Sequence, residues 1–220
     1  MRIVIAGAHG QIARRLGRLL SSRGDTVVGI VRNPDHRADL ESDGVEPAVL
    51  DLEQSSVDQV AEVVRGADAV VFAAGGGPNS GPERKQTVDR GAAVLLADAA
   101  ERAGVRPYLL VSSMGVEQAR DGAPEGMDPQ FAVYLEAKLA AEDDVRGRAA
   151  LDATVVRPGG LTDDPGTGRV TLAHEVERGS VPRDDVAAVL AEIVSTGTWG
   201  QVVELVDGDT PIDEAVAGLR

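Results

Sequence analysis

Apolar and polar positions along the chain follow two rhythms. In short runs nearly every position is apolar: RIVIAG (2–7), TVVGIV (26–31), EPAVLD (46–51), DAVVFAAG (68–75), PYLLVSS (107–113), ATVVRPG (153–159) and QVVELVDG (201–208). Such runs, bounded by glycine, proline and aspartate, predict buried strands. Between them, apolar residues recur at three- and four-residue spacing. Ile12, Leu16, Leu19 and Leu20 predict a helix over 11–23, closed by Gly24. The same rhythm predicts helices over 54–66, 83–103, 130–148 and 182–195, the last with Asp184 and Asp185 in its positive first turn. The stretch 75–82 is a glycine-rich loop, and 160–182 is irregular.

Strands that are apolar on both faces, alternating with helices, predict an α/β fold of three layers. The seven runs make a doubly wound parallel sheet with helices on both faces. A single domain is expected over 1–220, with 160–182 as a small C-terminal annex. Ligands of such sheets bind beyond the carboxyl ends of the strands. Gly7–Ala13, Arg32, Asp51, Ala73–Gly77, Ser112–Gly115 and Pro158–Leu161 all fall at those ends.

Composition narrows the function classes. No apolar run is long enough to span a membrane, and the chain enters a strand at once without a signal-peptide pattern, so a cytoplasmic location is expected. The absence of cysteine excludes disulfides, thiolate metal sites and cysteine nucleophiles. A net charge of −14 argues against nucleic acid as a partner. Residues 1–37 nevertheless carry seven arginines against Asp25 and Asp35. That basic island is either a local anion site or a solvated helix face. His9, His36 and His174 lack metal-ligand spacing, so no metal is expected. The partner is a small-molecule substrate, and the protein is a monomer or homodimer.

GAHGQIA (7–13) joins the first strand to the first helix. Gly7 permits the tight turn, Gly10 lets the backbone approach a pyrophosphate at the helix N-terminus, and Ala13 allows close helix–strand packing. His9, Gln11 and Ile12 belong to the same turn. The second strand ends in GIVRN, placing Arg32 where an NAD enzyme has an acid for the ribose hydroxyls. A guanidinium there suits a 2′-phosphate, with Arg14 assisting, so NADP is favoured over NAD.

The chain has two tyrosines, Tyr108 and Tyr134, and two lysines, Lys85 and Lys138, among 22 basic residues. YLEAK (134–138) puts one of each a helical turn apart. A phenol of pKa ~10 is a poor base alone, but a neighbouring ammonium favours its ionised form. Such a pair suits proton transfer at a carbonyl or alcohol oxygen. Ser112 and Ser113, at the end of the fifth strand, offer a hydroxyl to orient that oxygen.

The set GAHGQIA, VRNP, DLEQ, VVFAAG, SSMG, YLEAK and RPGGLTDDPGTG, in this order over nearly the whole chain, resembles the atypical and extended short-chain dehydrogenase/reductases. It is most similar to their compact, NmrA-like NAD(P)H-binding group, which includes biliverdin reductase B-like flavin reductases. The resemblance implies a three-layer Rossmann fold with a sheet of about seven strands, a single NAD(P)-binding domain over 1–220 with 160–182 at the substrate pocket, and a catalytic set of Ser113, Tyr134 and Lys138, with Ser112 the alternative serine. It implies Asp51 and Leu52 near the adenine, Ala73, Ala74 and Gly75 along the ribose side, and Pro158 and Gly159 beside the nicotinamide. Expected substrates are a small carbonyl, alcohol, quinone or flavin. The chain is too short for the sugar-binding domain of the superfamily's sugar-nucleotide epimerases. Two further readings stay open: an epimerase or dehydratase using held cofactor, and a non-catalytic NADP sensor.

Overall fold

In RIVIA, Ile3 and Ile5 face one apolar cluster and Val4 and Ala6 another, and all four are fully buried. Only a strand covered on both faces needs that pattern. The computed structural model of the chain describes residues 1–77, 81–122, 124 and 126–219, so part of the 75–82 loop lies outside the described residues. Its strands in chain order are β1 (Arg2–Ala6), β2 (Thr26–Val31), β3 (Glu46–Val49), β4 (Ala69–Phe72), β5 (Pro107–Val111), β6 (Asp152–Pro158), β7 (Gly160–Thr162), β8 (Arg169–Ala173), β9 (Ser180–Pro182), β10 (Val202–Asp207) and β11 (Thr210–Pro211). The helices are α1 (Gln11–Ser22), α2 (Arg37–Ser42), α3 (Val57–Val64), α4 (Pro82–Arg84), α5 (Ala93–Ala103), α6 (Pro129–Arg146), α7 (Arg183–Thr196) and α8 (Ile212–Ala217).

Among the described residues the main sheet has nine strands, ordered β11-β8-β10-β6-β5-β4-β1-β2-β3. From β3 to β10 every neighbouring pair runs parallel, and these are the seven strands the apolar runs predict. The two extra strands, β8 and β11, add antiparallel pairs at one edge. The stretch 160–182 is therefore divided: β7 and β9 form a two-stranded parallel ribbon, while β8 extends the main sheet. Strand order reverses direction between β1 and β4, so the chain leaves a crevice above their carboxyl ends.

Helices cover both faces because their apolar stripes match the two clusters. Ala13, Leu16, Leu20 of α1 and Val186, Leu190, Ile193 of α7 pack with Ile3, Ile5, Leu109 and Leu205. Val60 and Val64 of α3, Leu96 and Ala100 of α5, and Ala141 and Val145 of α6 pack with Val4, Phe72 and Leu110. A Ser56–Gln59 capping box starts α3, and Gly104 in the left-handed region ends α5.

The helix expected over 83–103 is not uniform. Between α4 and α5, residues Lys85–Ala92 form a π-helical segment packed on α6. A π turn adds a residue to each loop of the ladder and often marks a functional site. Here it buries Lys85 and Asp89, four residues apart, against the crevice.

Candidate active site

The crevice has two lobes. One, of about 310 Å3, is lined by Gly7, His9, Gly10, Arg32, Asp51, Leu52 and Glu53 among others. The other, of about 950 Å3, contains Ser112, Ser113, Tyr134, Lys138, Pro158 and Gly159. Ala73, Ala74 and Gly75, just past β4, line both lobes and join them into one elongated cleft.

The smaller lobe is built from backbone. Gly7 has φ +76, and a Cβ there would stand 2.5 Å from the Ala74 Cα, so no other residue fits this turn. The turn brings Gly10 to the start of α1 without a capping side chain or an acid in the first turn. Ala8 N and Gly10 N already donate to Ile30 O and Gly7 O, so an anion there would meet the first N–H groups of α1, where the dipole favours one. Gln11 and Ile12 sit at this terminus but do not line either lobe. The geometry of the turn fits a pyrophosphate, and the two joined lobes fit the halves of a dinucleotide.

The basic island mostly has another purpose. Arg14 Nε donates to Asp43 at 2.6 Å, and Arg18 reaches the other oxygen of Asp43 at 3.0 Å. Burial opposes ionisation of Asp43, but these two guanidiniums outweigh it and hold the carboxyl below its usual range. Arg15 pairs with Asp184, and Arg23 with Glu192. The arginines of α1 thus tie it to α2 and α7, and Arg14 does not line the cleft. His9 lies 2.7 Å from Asp39 and stacks on His36 with ring centroids 3.5 Å apart. The hydrogen bond from His9, and then the charge of Arg14, keep the Asp39 carboxyl low. Of the island's arginines, Arg32 alone lines the smaller lobe. It is not alone there: Glu53 accepts from Arg32 at 3.1 Å, lies 3.4 Å from Arg84, and accepts from Thr87 at 2.6 Å.

The larger lobe is built from side chains of distant segments. On α6, Tyr134, Lys138 and Glu142 follow at four-residue steps, the first two lining the lobe and the third lying buried below it. Lys138 is 4% exposed. Its Nζ donates to Val111 O at 3.0 Å and lies 3.5 Å from Ala74 O and 3.4 Å from Asp89 Oδ1. Asp89 also accepts from Gly76 N at 3.0 Å, while its Oδ1 has an ionic neighbour but no hydrogen bond. The Lys138 ammonium is 5.9 Å from the Tyr134 ring centroid. The Lys85 ammonium is nearer, at 5.3 Å. The Tyr134 ring stacks with Phe131, and among the described residues its hydroxyl has no hydrogen-bond partner. Ser113 Oγ donates to Met114 O at 3.2 Å, whereas the Oγ of buried Ser112 has no hydrogen-bond partner among the described residues.

Beneath the site, Glu142 is fully buried and takes three contacts from Arg157 of β6, the shortest 2.6 Å. Arg157 also reaches Glu117 at 2.7 Å. Hydrogen bonds from Arg120 and then Arg157, against opposing burial, hold Glu117 at about 2. This network fixes α6 to the strand carrying Pro158.

Sequence reasoning missed Lys85, Asp89, Glu53, Arg84 and the Glu142–Arg157 pair. Lys85 carried one signal, its rarity as one of two lysines. Among the described residues, no helix is long and apolar enough to cross a membrane.

The geometry has relatives. A family described as NAD(P)H-binding matches residues 7–196. The uncharacterized sugar epimerase YhfK of Bacillus subtilis (strain 168) is 36% identical over 221 residues, covering 100% of each chain. A Bacillus halodurans structure named as an NAD-dependent epimerase/dehydratase superposes with a TM-score of 0.89 at 35% identity, over 99% of both chains. ChuY, an anaerobillin reductase from Escherichia coli O157:H7, superposes with a TM-score of 0.79 at 26% identity, over 95% of this chain and 98% of that one.

Proposed function

The chain belongs to the NAD(P)H-binding family, and from that premise we propose that it is an NADP(H)-dependent oxidoreductase acting on a small carbonyl, alcohol, quinone or flavin. The observation that carries this reading is the Tyr134 hydroxyl, without a partner among the described residues, in the lobe where the ends of β4, β5 and β6 meet. When bound, the cofactor supplies or accepts a hydride at its nicotinamide ring. The residues of the chain do the rest.

Gly7, Gly10 and the first turn of α1, with Gln11 and Ile12, hold the pyrophosphate. Asp51 and Leu52 border the adenosine, and Ala73 to Gly75 the ribose side. Pro158 and Gly159 back the nicotinamide. Tyr134 gives a proton to the substrate oxygen, or takes one from it. Ser113 orients that oxygen, with the buried Ser112 hydroxyl as the second candidate. Lys138 is a fixed positive charge beside the tyrosine. Its two longer contacts, to Ala74 O and Asp89, leave donors to exchange for ribose hydroxyls.

NADP is favoured over NAD because two guanidiniums, Arg32 and Arg84, converge on one exposed spot at the ribose end. Both now share the Glu53 carboxylate, so a 2′-phosphate binds there by displacing a weak surface pair. The epimerase names of two relatives describe those proteins; the same tyrosine and cofactor lobe would serve such chemistry here.

The test is fluorescence titration with NADPH and NADH, followed by turnover on a panel of carbonyls, quinones and flavins. The expected result is tighter binding of NADPH and its oxidation by at least one panel member. Tight binding without turnover on any class favours a cofactor sensor instead. Failure to bind either cofactor overturns the reading altogether.

A further inference from the structure

Both lysines of the chain lie in the larger lobe, yet their surroundings differ. Lys138 is compensated by two carbonyls and the Asp89 carboxylate. Lys85 is 7% exposed and lines the cleft, and its ammonium faces the Tyr134 ring. Among the described residues, no carboxylate comes within ion-pair distance of it. An aromatic face replaces only part of the hydration that a buried ammonium forfeits.

The remaining charges of the lobe do not supply the missing anion. Asp89 is engaged with Lys138 and Gly76 N, and Asp128 caps α6 through Phe131 N. Arg183 is paired with Asp163 at 2.9 Å. Arg178 lines the same lobe and has no carboxylate partner among the described residues. Its guanidinium lies over Gly115, 3.3 Å from where a side chain would begin. Among the described residues, a chain of net charge −14 therefore gathers in this one lobe two cations without a carboxylate partner, and the lobe's one carboxylate without a cation, Asp128, is held as the cap of α6.

We propose that the substrate carries an anionic oxyacid group, a carboxylate or a phosphate, received by buried Lys85, with Arg178 closing on it from the rim. This deepens the oxidoreductase reading and rests on it for the word substrate. The anion site itself stands on Lys85 and Arg178. Binding there sets the group being reduced beside Tyr134, because the Lys85 ammonium stands over the Tyr134 ring, 5.3 Å from its centroid.

Two lysines permit a direct test. Protein grown with lysine carrying carbon-13 at the ε position gives two signals, and Lys85→Arg identifies the one from Lys85. Benzoate, phenyl phosphate and methyl benzoate are then titrated into the NADP-loaded protein. The expected result is a saturable shift of the Lys85 signal with the anions and none with the neutral ester. Whichever anion saturates first identifies the class, carboxylate or phosphate. Arg178→Gln weakens that binding about tenfold. A Lys85 signal that ignores both anions, or moves equally with the ester, overturns the proposal. This readout does not depend on hydride transfer. A protein whose Lys85 responds to anions but which turns over no carbonyl keeps the anion site and loses the oxidoreductase reading. Turnover of neutral carbonyls with a silent Lys85 does the reverse.

Discussion

The two ends of the cleft handle charge in opposite ways. In the smaller lobe, the Arg32 side chain is 52% exposed and its partner Glu53 19%, so water reaches the pair from the arginine side. Around Tyr134, the side chains of Lys138 and Asp89 are 5% and 1% exposed, and below them those of Arg157 and Glu142 are 7% and 0%. An exposed pair contributes little and exchanges readily, so it suits a place where a charged ligand must enter and leave. A buried pair is costly to assemble but more costly to break, so it suits a place where groups must hold one geometry. In this reading, cofactor choice is made where ions are exchangeable, and proton transfer where they are locked.

The largest expected effect is at the locked end. Glu142→Ala leaves Arg157 buried with only half-exposed Glu117 as partner, and is expected to cost about 3–5 kcal/mol in urea unfolding. Replacing both residues of the pair with methionine should recover most of that loss. A loss within about 1 kcal/mol for the single variant would place this pair with the surface ones and break the contrast. At the exchangeable end, Arg32→Ala is expected to weaken NADPH binding about 10- to 100-fold while leaving NADH nearly unchanged. An equal loss for both cofactors contradicts a 2′-phosphate contact. The smallest effect is expected at Glu117, which joins the buried pair to the surface. Its carboxyl is depressed to about 2, chiefly by Arg120. A depressed carboxyl stabilises the fold above its unfolded value of about 4.3, and that contribution disappears as pH falls through the folded value. Wild type and Glu117→Gln should therefore differ by no more than about 1 kcal/mol at neutral pH and converge as pH falls towards 2. A gap that widens on acidification reverses the sign and contradicts the assignment.

The two ends also differ in how well the sequence reveals them. The seven parallel strands were legible because two-sided burial leaves unbroken apolar runs. The glycine turn before α1 was legible because its residues are contiguous. Tyr134 and Lys138 were legible because they share one helix. Lys85 and Asp89 come from a different helix, and a π turn leaves the apolar spacing of 83–103 looking like ordinary helix. Glu142 and Arg157 pair across two elements, which no local spacing reveals. The basic island misled for the same reason: its counter-ions are Asp43, Asp184 and Glu192, outside the island itself. Short elements such as α2, α8 and β11 carry too few periodic positions to register.

The central claim is that Tyr134 moves the proton during hydride transfer. Its most direct measurement is single-turnover oxidation of bound NADPH by a carbonyl substrate, in wild type and Tyr134→Phe, with cofactor affinity measured alongside. The account predicts unchanged NADPH affinity and a turnover rate lower by about 100- to 10,000-fold. A phenylalanine variant that binds NADPH and reduces the carbonyl at the wild-type rate would contradict it.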